Sequence, residues 1–256
     1  MRKLLTLAVL GLAILGFTSL VAAQSAGEVV ASGEELSKKW DYKGAIAVYE
    51  KALVGQANNY DLLWRVADNY VKLGVSADDK EKAPLYQKAS DYATKAVAAN
   101  PEAIDGHTKL AIAQGRLALF KGGKIKVEMS KTVKAEAERA LQINPNNDEA
   151  LHTLGAWHRE VATLPGILKV FAKLIYGGLP PASKEEAVQY LEKATASNPK
   201  IIEHHLELGK CYMVMRQWDL ARKSWAECGN LTPTEGYDKK FQEEAKGLLS
   251  EYKNKK

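Results

Sequence analysis

Long apolar runs are scarce in this chain. Beyond residue 23 no stretch approaches the ~20 consecutive apolar residues that a helix needs to span a bilayer, so the body of the protein is not read as membrane-spanning. Cysteine is scarcer still. Cys211 and Cys228 are the whole supply, with no Cys-x-x-Cys pair, which excludes a disulfide scaffold and a dithiol redox site. The two could join after export, or rest as buried thiols. Charge of one sign is lacking as well. Setting aside Arg2 and Lys3, the 36 basic residues become 34 against 31 acidic ones, a net charge of +3, too little for a nucleic-acid partner. Catalytic signatures are missing too: there is no Gly-x-Ser-x-Gly, no dinucleotide glycine motif and no pair of catalytic carboxylates. Lys121-Gly-Gly-Lys124 lacks the spacing of a phosphate loop, and no strand precedes it. His107, His152, His158, His204 and His205 have no i,i+4 partner and no Cys or carboxylate at metal-ligand spacing. His107 and His158 fall on apolar faces, as packing residues would. The reading is of a non-enzyme with no cofactor and no metal.

The N-terminus has what the rest lacks. Arg2-Lys3 is a short basic region, Leu4–Leu20 is apolar but for Thr6, Thr18 and Ser19, and Val21-Ala22-Ala23 offers small residues before Gln24. This is the pattern of a secretory signal, residues 1–23, cleaved before Gln24, and the mature chain would be periplasmic or secreted. The alternative is an uncleaved anchor through 4–23.

A repeat organises the remainder. From Leu206 to Pro233 the chain sets Gly209, Ala221, Trp225, Cys228 and Pro233 at successive separations of twelve, four, three and five residues. That is the spacing of a tetratricopeptide repeat, a helix–turn–helix unit of about 34 residues. The types follow from packing: small residues at Gly209 and Ala221 let two helices approach, Trp225 fills the gap between them, and Pro233 ends the unit. One such unit cannot bury its apolar face alone. Gly33, Ala45, Tyr49 and Ala52 repeat the offsets at the other end, with Trp40-Asp41-Tyr42 as the turn.

The predicted fold is therefore all-α, a tetratricopeptide-like helical-hairpin solenoid over 24–256. Its repeats run at about 26–57, 58–101, 102–145, 146–199 and 200–233, and a helix at 235–252 caps the end. Between Ala67 and Ala89 the spacing grows to 22 residues, from longer helices or a solvated loop. Between Gly155 and Ala187 there is an insert of about twenty residues. Ser183 followed by Glu186 is a capping box for the helix after it.

Solenoids of this type bind along the concave side, on the first helix of each hairpin. Carrying those offsets over nominates Trp64, Asp68, Lys72, Thr108, Ile112, Arg116, His152, Arg159, Leu206, Lys210 and Met213. The set mixes apolar and cationic groups and suits an extended peptide or an anionic amphiphile. Trp64 and Asp68 stand where the chaperone-binding subgroup has Lys and Asn, which counts against a terminal-carboxylate ligand.

Leu154-Gly-Ala-Trp157, Leu164-Pro165, the apolar insert, Pro180-Pro181, Glu186-Ala187, Lys193-Ala194, Asn198-Pro199, Leu208-Gly-Lys210 and Tyr212 together resemble the regulator of microtubule dynamics family over about 145–250. The resemblance implies a non-enzymatic scaffold with a protein or peptide partner. The family includes a member whose repeat domain binds phospholipid, and the alternative reading is a lipid-binding or membrane-contact protein using insert 164–181 and the groove. The export signal departs from that family's anchors and coiled segments.

Within the insert, Ile167, Leu168, Val170, Phe171, Leu174 and Ile175 fall at helical offsets, with Lys169 and Lys173 on the other side. The first expectation is a helix packed on the solenoid, filling the space of the long hairpin, so that Phe171→Asp lowers the melting temperature. The second is a helix lying on a membrane.

Overall fold

The computed structural model describes residues 26–256; the signal segment expected at 1–23 and its expected cleavage site lie outside the described residues. All regular structure among the described residues is helical. Antiparallel hairpins form from α1 (Ala26–Lys38) with α2 (Tyr42–Leu53), α3 (Tyr60–Ser76) with α4 (Asp79–Ala99), and α5 (Ile104–Ala118) with α6 (Gly123–Ile143). The fourth pairs α7 (Asp148–Thr163) with α9 (Lys184–Ser197), and the insert between them is α8 (Gly166–Tyr176). Then come α10 (Ile202–Val214) with α11 (Trp218–Asn230), and α12 (Asp238–Glu251) packed on both.

Local chemistry starts these helices. The side chains of Asp41, Asn59, Asn147 and Ser183 accept the backbone N–H groups of Gly44, Leu62, Ala150 and Glu186, satisfying donors that a helix start leaves open. Only half of the expected capping box forms: Ser183 Oγ also donates to Glu186 Oε2 at 2.9 Å, while Ser183 N–H donates to His158 Nδ1 at 3.3 Å instead of to Glu186. The first and last hairpins turn alike: Trp40 (φ 64°) and Arg216 (φ 60°) each sit seven residues after the seam glycine, in the left-handed region.

The seams are tight where glycine stands. A Cβ on Gly33 would overlap the Tyr49 ring, and one on Gly209 the Trp225 indole. Trp225 is fully buried, with its Nε1–H donating to Leu206 O at 3.3 Å. The extra residues between Ala67 and Ala89 become helix, leaving only Ala77 and Asp78 between α3 and α4. Cys211 and Cys228 are free, buried thiols, and burial pushes both pKa values up to about 12, so they are inert at neutral pH.

Two elements depart from expectation. The insert forms its helix, but the helix rests on α6 and does not fill the α7–α9 hairpin. Ile167, Leu168, Val170, Phe171, Leu174 and Ile175 are between 50% and 78% exposed, while Ala172 is buried. The hairpin offers α8 no space to fill, because α7 and α9 close on each other directly through Gly155 and Leu191. With Phe171 half exposed, the stability loss anticipated for Phe171→Asp no longer follows.

The second departure is the lead-in to α12, residues 231–237. It caps the last hairpin and also reaches back to the first two. Trp40 Nε1 donates to Thr234 O (3.2 Å), Tyr42 OH donates to Glu235 Oε2 (2.8 Å), and Gly236 N donates to Tyr42 OH (3.1 Å). Lys240 Nζ donates to Ser76 O at 2.6 Å. The approach is close: a Cβ on Gly236 would press on Trp40 at 3.3 Å. The solenoid thus curves until its ends meet, and this strap closes the ring.

Candidate functional site

Closure turns the concave face into a cavity of about 650 Å³, walled by α3, α5, α6, α7, α8, the start of α10 and the strap. One end is apolar, with Val127, Val133, Trp157, Val161, Leu168 and Leu179. The other is densely charged.

The charges are arranged as buried pairs. Lys109, 6% exposed, places its Nζ 2.8 Å from Asp68 and 2.7 Å from Glu149. Lys72 bridges Asp68 (3.4 Å) and Glu235 of the strap (2.8 Å). Burial pushes the Asp68 carboxyl up, but Lys109 and Lys72 outweigh it and hold the pKa at about 2. Arg116 bonds Glu203 at 2.7 Å, and Arg159 bonds Glu207 at 2.8 Å and Glu160 at 2.9 Å. Glu207 is likewise pushed up by burial and brought down to about 2 by Arg159 and Lys210. Asp238 Oδ2 accepts the backbone N–H groups of Thr234 and Glu235 at 2.7 and 2.9 Å, which fixes the strap's turn.

Five cations line the cavity (Lys72, Lys109, Arg116, Lys126 and Arg159) against eight carboxylates, the seven just described and Asp148. The anticipated mixture of apolar and cationic groups is therefore corrected: the lining is acidic, and the Lys72, Lys109, Arg116 and Arg159 cations are each held by an internal carboxylate. An anionic ligand would have to displace them.

Two histidines that the sequence left unconnected meet on the cavity wall. His204 Nδ1 lies 3.0 Å from His152 Nδ1, and His204 Nε2 lies 3.1 Å from Asp148 Oδ2, which also accepts from Asn198 Nδ2 at 3.1 Å. Burial lowers the His152 pKa to about 4, against the opposing pull of Glu203. A folded pKa below the unfolded one makes this group stabilising above about pH 6.5, and that contribution is lost as pH falls towards 4. His152→Gln should flatten this limb of a melting-temperature profile by up to about 3 kcal/mol between those pH values. An unchanged slope would mean that His152 is not held neutral. His107 and His158, 6% and 3% exposed, are bonded locally, His107 to Glu136 and to Pro101 O. No group of His, Cys, Asp and Glu among the described residues is arranged to hold a metal ion.

Of the eleven nominated groove residues, six line the cavity: Asp68, Lys72, Ile112, Arg116, His152 and Arg159. Thr108 and Leu206, each 1% exposed, are core instead. On α10 the offsets followed the seam face; the cavity face is Glu203, His204 and Glu207. Trp64 packs on the first core cluster beneath the Arg65 guanidinium, and Met213 on the last cluster. Lys210 ties Glu207 to Glu244 of α12, both at 2.8 Å. Sequence reasoning missed Lys109, whose signal was a lysine in the apolar register of α5, and the strap, which had none.

Stacked antiparallel hairpins around a concave cavity define a tetratricopeptide-type solenoid. The solved structure of TTC0263, described as a thermophilic TPR protein in Thermus thermophilus, shares the fold: TM-score 0.64 at 18% identity, covering 88% of this chain and 100% of that one. Residues 26–253 match the family model described as regulator of microtubule dynamics protein 1-3, and the chain belongs to that family. Regulator of microtubule dynamics protein 1 of Mus musculus is 27% identical over 256 residues, covering 93% of this chain and 82% of its own. The Caenorhabditis elegans protein of the same name is 22% identical over 222 residues, covering 87% and 98% respectively.

Proposed function

We propose that the chain is a non-catalytic protein-binding scaffold whose partner enters the concave cavity. The observation that carries this reading is the enclosure itself, about 650 Å³ with an apolar end and a charged end. Pockets of that size and duality bury most of a small ligand or a short segment of chain while a few polar groups fix its orientation. The excess of carboxylates suits a partner segment that is basic and apolar. The mouse and worm relatives are named for microtubule dynamics; for this chain the cavity chemistry supports a basic, apolar segment.

Gly115 provides the test. It lines the cavity, and an added Cβ meets only Val133, at 3.8 Å. Gly115→Leu should intrude on the cavity beside Val133 while raising helix propensity by roughly 0.5–1 kcal/mol. In affinity capture, partners held by the wild type should be lost from Gly115→Leu and kept by Lys193→Glu, an exposed change on α9. Equal recovery from all three would place binding elsewhere.

The same reading has the protein exported. Arg2-Lys3, the apolar run to Leu20 and Val21-Ala22-Ala23 support cleavage before Gln24. Terminal sequencing of the mature protein should begin at Gln24; a Met1 start in a membrane fraction would make the segment an anchor.

A further inference from the structure

Thirteen large apolar side chains are exposed among the described residues, and nine of them fall in two short segments, Leu119–Ile125 and Ile167–Ile175. Those segments are neighbours: α8 packs on α6, and Leu119, Lys126, Leu168 and Phe171 line the same end of the cavity. Most of the exposed apolar surface is therefore gathered beside the apolar end of the cavity, with Phe120 turned against Tyr86.

The patch has a definite charge. Neither 119–127 nor 164–182 contains an acidic residue, and together they carry Lys121, Lys124, Lys126, Lys169 and Lys173. Lys124 lies 3.5 Å from Glu128 in an exposed pair, and Lys169 Nζ donates to Ala162 O at 2.8 Å. Helix α8 itself, Gly-Ile-Leu-Lys-Val-Phe-Ala-Lys-Leu-Ile-Tyr, contains no Asp, Glu, Asn, Gln, Ser or Thr. Pro165 begins it, and Gly177 and Gly178 (φ 72° and 87°) end it in a conformation that other residues rarely adopt.

We propose that α8 and the α5–α6 turn form a membrane-docking surface for an anionic lipid bilayer. Ile167, Val170, Leu174 and Ile175 would enter the boundary between headgroups and acyl chains, and the lysines would lie among the headgroups. A helix apolar around most of its circumference is stable against hydrocarbon and costly in water. A protein partner fits less well, because protein interfaces carry about one hydrogen bond per 100–200 Å² and α8 presents little beyond alkyl, aromatic and ammonium groups. Each lysine near an anionic surface adds to the attraction. The proposal is separate from partner binding in the cavity: docking would turn the cavity's apolar mouth toward the membrane and leave the strap side free.

The test uses the full chain with a polarity-sensitive nitrobenzoxadiazole label on Leu174→Cys; native Cys211 and Cys228 are buried and stay unlabelled. A second protein carries the label on Lys193→Cys of α9. Vesicles are phosphatidylcholine alone, or with roughly 30% phosphatidylglycerol, enough for the attraction expected of a basic patch. A blue shift and a several-fold rise in emission are expected at position 174 with the anionic vesicles only, and no change at 193. Adding Lys124→Glu and Lys173→Glu should abolish the response without altering the circular dichroism spectrum, and Gly115→Leu should leave it intact. Flotation with no change at 174 would mean that the apolar leader alone binds, overturning the proposal. So would an equal response to neutral vesicles, or a shift at 174 in buffer without vesicles, which would mark the face as a contact between copies.

Discussion

Replacing Gly209 with tryptophan should unfold the last hairpin. No rotamer can rescue the substitution, because the Cβ itself already overlaps the Trp225 indole, and Trp225 is fully buried. Trp225 belongs to the cluster that joins α9, α10, α11 and α12, so moving it loosens Ile202, Leu206 and Cys228 together. Overpacking a core costs typically 1–3 kcal/mol, and more where the neighbour is rigid. At the upper end the melting temperature should fall by roughly 10 °C, at about 2–4 °C per kcal/mol for a chain of this size. Loss of helical circular dichroism signal should accompany it, and Gly209→Ala should show a smaller effect of the same sign. An unchanged melt for the tryptophan variant would show that the seam register is wrong.

Lys109→Met should be nearly as costly, for an electrostatic reason. Lys109 sits in the cavity wall between Asp68 and Glu149, and burial disfavours its charge, but the two carboxylates hold it protonated. Methionine keeps much of the volume and removes the charge. Asp68 is then left buried with Lys72 alone, which Glu235 shares. Removing one partner of a buried ion pair costs about 3–5 kcal/mol, so a loss of roughly 10 °C is expected in the melting temperature. Adding Asp68→Asn should recover part of it, since the two sites share one network and their effects should not add. A loss below about 1 kcal/mol, or strict additivity, would mean that the network is solvated rather than buried.

These two positions also mark what the sequence did and did not disclose. The seam was legible because close approach of two helices dictates residue type: Gly33 against Tyr49 and Gly209 against Trp225 repeat at one spacing for one physical reason. The cavity was half legible. Asp68, Lys72, Ile112 and Arg116 follow from helical offset, but a slip of one residue puts Thr108 in place of Lys109, and on α10 it puts Leu206 in place of Glu207. On a helix that slip rotates the side chain by about 100°, enough to exchange groove for core. The meeting of His152 with His204 needs α7 and α10 side by side, which no local pattern encodes. The ring closure was illegible, because it sums small rotations over all the hairpins. For α8 the periodicity named an apolar helix but not its neighbour, which is α6 and not the α7–α9 hairpin it interrupts.

Whether the ends of the solenoid meet decides if there is a cavity at all. Lys43 and Lys239 are both exposed; Lys43 shares a surface pocket with Trp40, Tyr42 and Gly236, and Lys239 lies three residues beyond Gly236. Spin labels on Lys43→Cys and Lys239→Cys, read by double electron–electron resonance, measure the closure directly in the otherwise native chain. A closed ring predicts one narrow distance peak at the short end of the measurable range, broadened when Tyr42→Phe removes the hydroxyl that bonds Glu235 and Gly236. A broad distribution at long distance in the parent protein would mean an open superhelix with a free strap, and would contradict the site described above.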